Sequence, residues 1–347
     1  MMPEEWPIAA TVADGNAPAR AAGRGRLSTA RVDFFLNPAE RLTEQERALM
    51  TSMLHCLVGD TAGEIRAELP PGWCGANDDD AQIVEALTRA GLLDQAELMQ
   101  LLLRRADEER IGTAARARSG NREARVVQAL VSQQNSGVSA SAMALILARG
   151  RRRDRFGQCL ISFDDLSQEV AGRLVYAVAA AFRNDVAGVR GPAAADRELS
   201  AAAAVLLDKH DPKRGIDALT AALVAQLDEA GGLSDELLLA CGQEGEVGFL
   251  AEVLARRAGI AGTVALDVLL SANPAQLMGL LRIANFSRGV SAGLLASLSD
   301  LLGIDDPGVA IGLFDSMTAE EVKAVASWLS AAPAYRAALG TLGFAHG

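Results

Sequence analysis

The sequence has few aromatic residues, and this shortage restricts how its interior can be built. Aromatic residues occupy 4% of the 347 positions, whereas hydrophobic residues of all kinds occupy 50%. The interior must therefore consist mainly of alanine, leucine and valine. Alanine and leucine are the best helix formers, and strands favour the aromatic residues that are scarce here. We expect an all-α protein.

Cysteines are also few, and their spacing argues against a metal site and a disulfide framework. The four cysteines are Cys56, Cys74, Cys159 and Cys241, with no CxxC pair and no histidine cluster beside them. Such spacing does not supply the paired ligands of a zinc site. We expect free thiols in a reducing cytoplasm, and neither a metal nor a cofactor.

The sequence also lacks long apolar runs and an excess of basic residues. The most apolar windows, residues 175–182 and 201–207, fall well short of the roughly 18 apolar residues expected of a membrane span. The chain opens without a basic stretch and apolar run, so we expect no secretory signal and a cytoplasmic location. The formal net charge of −11 argues against nucleic-acid binding, because phosphate neutralisation requires positive charge. Proteins are the expected partners.

A repeated helical unit is the main positive feature of the sequence. Residues 129–155 contain an apolar helical run, a polar turn at 133–137 and a second apolar helix. The tetrapeptide Gly-Val-Ser-Ala of residues 137–140 recurs at 289–292, and Val247 and Val290 are separated by an interval typical of HEAT-type helical pairs. The pattern predicts an irregular HEAT-like helical-repeat solenoid.

Composition divides the chain into three parts. Residues 1–31 mix alanine, glycine, proline and arginine without a period, which predicts a flexible tail. The segment around 188–192 contains two glycines and a proline, which predicts a boundary between helical halves at 32–187 and 193–347.

Local signals predict several helix starts and breaks. Thr43 and Thr318 each precede a glutamate three residues later, and both patterns predict a capping box. The first helix is expected to end near Val58, before a turn at residues 59–60. Residues 94–117 are expected to form two helices rather than one.

Two segments resemble a known family. They are residues 41–69 (RLTEQERALMTSMLHCLVGDTAGEIRAEL) and 129–183 (ALVSQQNSGVSASAMALILARGRRRDRFGQCLISFDDLSQEVAGRLVYAVAAAFR). Both resemble an alphaproteobacterial family of helical, HEAT-like proteins that is catalogued only as a domain of unknown function. The resemblance covers most of the chain after Val32, and it implies a fold and a bacterial cytoplasmic setting without implying catalytic residues.

One motif matches the nucleophile elbow of hydrolases. Residues 289–293 fit G-x-S-x-G, with Ser291 as the nucleophile, and an aspartate and His346 follow in the order that α/β-hydrolases use. That elbow requires a strand before the turn, whereas residues 277–283 are typical of a helix. The copy at 137–140 favours a repeat as the explanation, and a serine hydrolase remains a further alternative.

His55 offers a second chemical hypothesis. Helical periodicity places it on the solvent side of its helix, where a neutral imidazole can accept a phosphoryl group. Cys56 follows it, at a position where such sites usually have an acidic residue. Histidine phosphotransfer is the alternative function, and an ordinary surface histidine is the competing interpretation.

The strongest charge anomaly in this acidic chain is a run of arginines. Its members are Arg149, Arg151, Arg152, Arg153 and Arg155. Arginines at a helix end complement the helix dipole, which is a structural explanation. They would equally suit a docking patch for an acidic protein surface. We expect a non-catalytic protein-protein interaction or regulatory scaffold that uses this patch.

Overall fold

The computed structural model describes residues 42–73, 80–118, 120, 125–271 and 273–342. Within them the chain is all-α, as expected, with 17 helices and no strands. The helices are α1 (Glu44–Glu68), α2 (Asp80–Arg89), α3 (Ala96–Arg118), α4 (Val126–Leu130), α5 (Ser136–Arg151), α6 (Gln168–Ala181), α7 (Arg183–Arg190), α8 (Pro192–Lys209), α9 (Ile216–Glu229), α10 (Asp235–Glu244), α11 (Val247–Ala258), α12 (Gly262–Leu270), α13 (Pro274–Ile283), α14 (Arg288–Leu298), α15 (Pro307–Ser316), α16 (Ala319–Ser330) and α17 (Pro333–Thr341). No described helix has the length and hydropathy needed to cross a membrane.

The chain divides into two compact units, Met1–Arg47 and Ala48–Gly347. In the first unit only residues 42–47 are described, so the predicted tail at 1–31 lies outside the described residues. The capping box predicted at Thr43 is confirmed. The Thr43 amide donates to Glu46 Oε2 over 2.7 Å, and the Glu46 amide donates to Thr43 Oγ1 over 3.2 Å.

Two predicted helix breaks are wrong. Helix α1 continues through Gly59 to Glu68, because residues on both sides of the glycine, including Met53 and Ile65, are buried on one face. Such burial outweighs the roughly 1 kcal/mol cost of a glycine within a helix. Likewise α3 is one helix, since buried residues continue along it from Leu98 to Ala115.

The segment at the predicted boundary is helical on both sides of one residue. Gly191 has a φ of +85°, which glycine adopts without strain, and it separates α7 from α8. Helices α7 and α8 pack against each other. The division into halves at 32–187 and 193–347 stays a prediction.

The two Gly-Val-Ser-Ala copies occupy equivalent places in α5 and α14. Val138 and Val290 are both buried, and their amides donate to the side chain of the residue before each helix, Asn135 and Ser287. A valine at this position packs its apolar side chain into the core, while its backbone amide donates a hydrogen bond to the side chain of the capping residue. The shared local structure explains the shared letters, and a repeat of regular period stays a prediction.

Helix α11 occupies the centre of a large apolar cluster in the second unit. It packs against α3, α9, α10, α12 and α13. Phe249, Ala251 and Leu254 lie on different sides of α11, and all three are buried. A helix that is apolar over most of its circumference must be covered by several neighbours. This arrangement brings charged residues of its neighbours together at its amino-terminal end.

Candidate functional site

The arginine run lies at the carboxyl end of α5, as predicted, and continues into a turn. Helix α5 ends at Arg151, and the Leu160 amide donates to the Arg152 carbonyl over 2.8 Å, which brings the chain back alongside itself. An isolated bridge joins Arg153 to Cys159. The run is therefore held in a fixed turn, and neighbouring arginines point to different sides of it.

Three of the five arginines form ion pairs with carboxylates from other elements. The pairs are Arg149 with Glu246 (2.8 Å), Arg152 with Asp165 (2.7 Å) and Arg153 with Glu109 (2.8 Å). Asp165 has a side chain that is 1% exposed and also accepts from the amides of Ser162 and Ile216. The Arg152 pair therefore joins two distant loops, and these guanidinium groups are already occupied.

The remaining two arginines, Arg151 and Arg155, face solvent. The guanidinium of Arg155 stacks on the ring of Phe156 at 4.7 Å from its centroid, and Phe156 is 74% exposed. Along α5, Ala140, Met143 and Leu147 share an exposed stripe with Arg151; Met143 is 43% and Leu147 54% exposed. We call these six residues the outer face of α5.

Through other residues, α5 also borders a cleft of about 690 Å³. Its walls also include residues of helices α3, α4, α9, α11 and α12 and of the turn that follows α5. Charged residues in its lining are five arginines and five acids: Arg105, Arg116, Arg149, Arg152, Arg153, Glu108, Glu109, Asp217, Glu246 and Glu252. We call this space the cleft. Its size lies within the range of small-molecule sites.

A buried arginine organises the charges in the cleft. Arg105 is 5% exposed and donates to Glu108 over 2.5 Å and to Asp217 over 2.6 Å. Burial opposes its charged form, but the two carboxylates more than offset this and raise the pKa of Arg105. Arg105 therefore remains a cation that holds α3 to α9.

Several other groups in the cleft titrate away from their ordinary values. Burial raises the pKa of Glu252 to about 7, and repulsion from Asp217 and Glu108 adds to the rise. Burial also raises the pKa of Glu108, although Arg105 opposes this. Burial and the nearby Glu109 raise the pKa of the Cys159 thiol to about 11, so this thiol is not an activated nucleophile.

His55 is exposed on α1, as its helical register predicts. Among the described residues, no hydrogen bond or ion pair orients its ring. Cys56 beside it is half-buried, and burial followed by repulsion from Asp60 raises the pKa of its thiol. Phosphorylation of His55 stays a prediction.

Ser291 does not lie in the strand-to-helix turn that a hydrolase nucleophile requires. It sits within α14, its exposure is 0%, and its hydroxyl has no hydrogen-bond partner among the described residues. Asp306 caps α15 and Asp315 pairs with Arg288, while His346 lies outside the described residues. A reaction at Ser291 would require α14 to open, and it also stays a prediction.

The cleft was missed by sequence reasoning. Its acids are single residues on separate helices, so no local motif joins Glu108, Asp217 and Glu252. The sequence feature that bears on the cleft is the position of its glycines. Gly245 and Gly248 lie beside α3, and a Cβ at Gly245 would be 2.9 Å from the Ile111 carbonyl oxygen.

A comparison with family models identifies the chain. The model of a family described as "Uncharacterised protein conserved in bacteria (DUF2336)" matches residues 86–325, which is more than half of the sequence. The chain belongs to this DUF2336 family. The predicted membership of an uncharacterised bacterial family is confirmed, while the alphaproteobacterial origin stays a prediction. No curated protein and no solved structure matches the chain. The DUF2336 match contains the arginine run, the cleft and Ser291, and it excludes His55.

Proposed function

We propose that this DUF2336 chain is a non-catalytic protein-binding scaffold of the bacterial cytoplasm, and that its partner docks on the outer face of α5. The observation that carries the proposal is the exposed stripe of Ala140, Met143, Leu147 and Arg151. Apolar residues at spacings of three and four normally face a neighbouring helix. Among the described residues this stripe on α5 is exposed, while Val138, Leu145 and other residues face the core.

The chemistry of this face indicates the kind of partner. Arg151 and Arg155 lie at one end of the apolar stripe, and Phe156 adds a large aromatic ring. An amphipathic helix with acidic residues at one end would complement both features. Aromatic and arginine side chains are also the usual anchors of protein interfaces. We therefore infer that the partner presents an acidic, amphipathic helical segment.

Charge reversal at the two solvent-facing arginines tests this proposal. A pull-down from the native cytoplasm should compare the wild type with Arg151→Glu/Arg155→Glu and with Leu147→Glu. Leu147→Glu should lose a near-stoichiometric protein that the wild type retains, and Arg151→Glu/Arg155→Glu should retain less of the same protein. Both variants should keep their helicity, because these side chains are exposed.

A matched control carries the same charge change elsewhere. Arg173→Glu/Arg197→Glu reverses two exposed arginines on α6 and α8. It should retain the partner. Equal loss in the control, or full retention in Arg151→Glu/Arg155→Glu, would remove the outer face of α5 from the proposal.

Phosphotransfer at His55 is a second candidate, and the exposure of its imidazole favours it. An acid-labile phosphoryl label that disappears in His55→Ala would support it. Label that persists in that variant would place the modification elsewhere.

A further inference from the structure

The cleft contains one half-buried carboxylate that no cation neutralises. Glu252 lines the cleft from α11, and within the described residues it takes part in no hydrogen bond or ion pair. By contrast, Arg105 and Arg149, which also line the cleft, are each paired with a carboxylate. An anion that binds at either of these arginines would have to displace a carboxylate, whereas a cation could pair with Glu252 without displacing a partner.

The backbone is shaped so that carboxylates can lie against it. A Cβ at Gly262, the first residue of α12, would overlap Glu252 Oε1. A Cβ at Gly248 would similarly overlap Glu108 Oε1. Any larger residue at either position would push the carboxylate away. The glycines therefore allow both acids to line one cleft.

Local electrostatics also favour a positive group. Asp217 and Glu108 are near enough to Glu252 to raise its pKa, and Arg105 pairs with both of those acids. Glu252 thus lies near two carboxylates that share one guanidinium. A cation entering beside Glu252 would relieve the repulsion among them, and in a partly desolvated cleft this attraction exceeds its value in water.

The apolar residues of the lining indicate what kind of molecule the cationic group belongs to. Ile146, Ile216 and Leu266 contribute aliphatic surface to the cleft. An ammonium or guanidinium on a short aliphatic chain could pair with a carboxylate and bury its methylenes here. Each methylene that leaves water on binding adds to the affinity.

We propose that the cleft binds a free aliphatic amine or guanidine, with its cationic group paired to Glu252. The α5 residues that line the cleft are Ile146, Arg149 and Gly150, and none of them belongs to the outer face described above. This inference therefore does not depend on the proposed scaffold function. Glu252 binds and positions the cation, and Asp217 and Glu108 add attraction at longer range.

Calorimetric titration of the full chain tests the proposal, with n-pentylamine as the aliphatic probe. The wild type should bind n-pentylamine and not pentanoate. Glu252→Gln should bind it about tenfold or more weakly, because a hydrogen bond to a charged group is worth about 1.5–3 kcal/mol. Glu320→Gln changes an exposed glutamate on α16 in the same way and should leave affinity unchanged.

A second probe distinguishes a free amine from the lysine side chain of a protein. N-acetyl-lysine amide presents the same ammonium as a protein side chain would. Binding of this compound without binding of n-pentylamine would overturn the assignment to a free amine. Equal affinity in Glu252→Gln, preference for pentanoate, or no binding by the folded wild type would overturn the site itself. Circular dichroism of Glu252→Gln verifies that it is folded, which is expected because glutamine replaces the protonated form without a change of size.

Discussion

Replacing Arg152 by alanine should destabilise the protein far more than the same change at its neighbour Arg151. Arg152 donates twice to Asp165, over 2.7 and 2.9 Å, and once each to the carbonyls of Ala148 and Arg214. Removing it leaves the Asp165 carboxylate, 1% exposed, without its cation.

The size of the loss follows from what remains around Asp165. Breaking a buried pair by removing one partner usually costs about 3–5 kcal/mol. Because the amides of Ser162 and Ile216 still donate to Asp165, we expect the lower end, about 3 kcal/mol. Arg151→Ala, at an exposed position, should cost no more than about 0.5 kcal/mol.

Urea unfolding followed by circular dichroism measures both variants. The double variant Arg152→Ala/Asp165→Asn adds a mechanistic check. If the cost arises from an unpaired buried charge, the double variant should be more stable than Arg152→Ala alone. Equal midpoints for the two alanine variants, or a double variant less stable than Arg152→Ala, would refute the reasoning.

Three further outcomes follow from the structure. In the folded chain the pKa of Glu252 is raised from its ordinary value of 4.5 to about 7. The folded chain therefore binds more protons than the unfolded chain between these values, and its stability should fall as the pH rises through them. The loss should be about 1–3 kcal/mol after allowance for solvent screening, and thermal melts of Glu252→Gln across this pH range should lack it. Gly245→Ala should lower the free energy of unfolding by about 2 kcal/mol or more in a urea titration, because φ is +70° and the new Cβ would lie 2.8 Å from the Cβ of Ala115. Gly231→Ala is the control, since Gly231 also has a positive φ but a Cβ there would meet open space; it should cost about 1 kcal/mol. Thr318→Ala should cost about 1 kcal/mol in the same assay by removing the capping box of α16.

Features that depend on neighbouring residues could be predicted from the sequence. The capping boxes at Thr43 and Thr318 involve contacts three residues apart, and both are formed. The exposure of His55 follows from helical periodicity alone. Helix breaks were predicted less well, because the burial that carries α1 through Gly59 depends on other parts of the fold.

The site could not be predicted because its contacts join distant parts of the chain. Arg152 pairs 13 residues away, Arg153 44 residues away and Arg149 97 residues away. The sequence shows five arginines in a row of seven positions as one basic patch. Folding separates them into three structural ion pairs and two solvent-facing groups, and only packing decides which arginine belongs to which class.

This separation changes what holds a partner on the outer face of α5. The chain carries a net charge of −11, so an acidic partner is repelled at long range. With Arg149, Arg152 and Arg153 neutralised internally, two arginines supply the local attraction, and exposed ion pairs are each worth about 1 kcal/mol or less. Burial of Met143 and Leu147 must then provide most of the binding free energy, since a fully buried side chain of this size contributes about 1.5–3 kcal/mol. Partner capture should accordingly survive moderate salt and be lost in Leu147→Glu, and capture abolished by salt alone would contradict an interface of this kind.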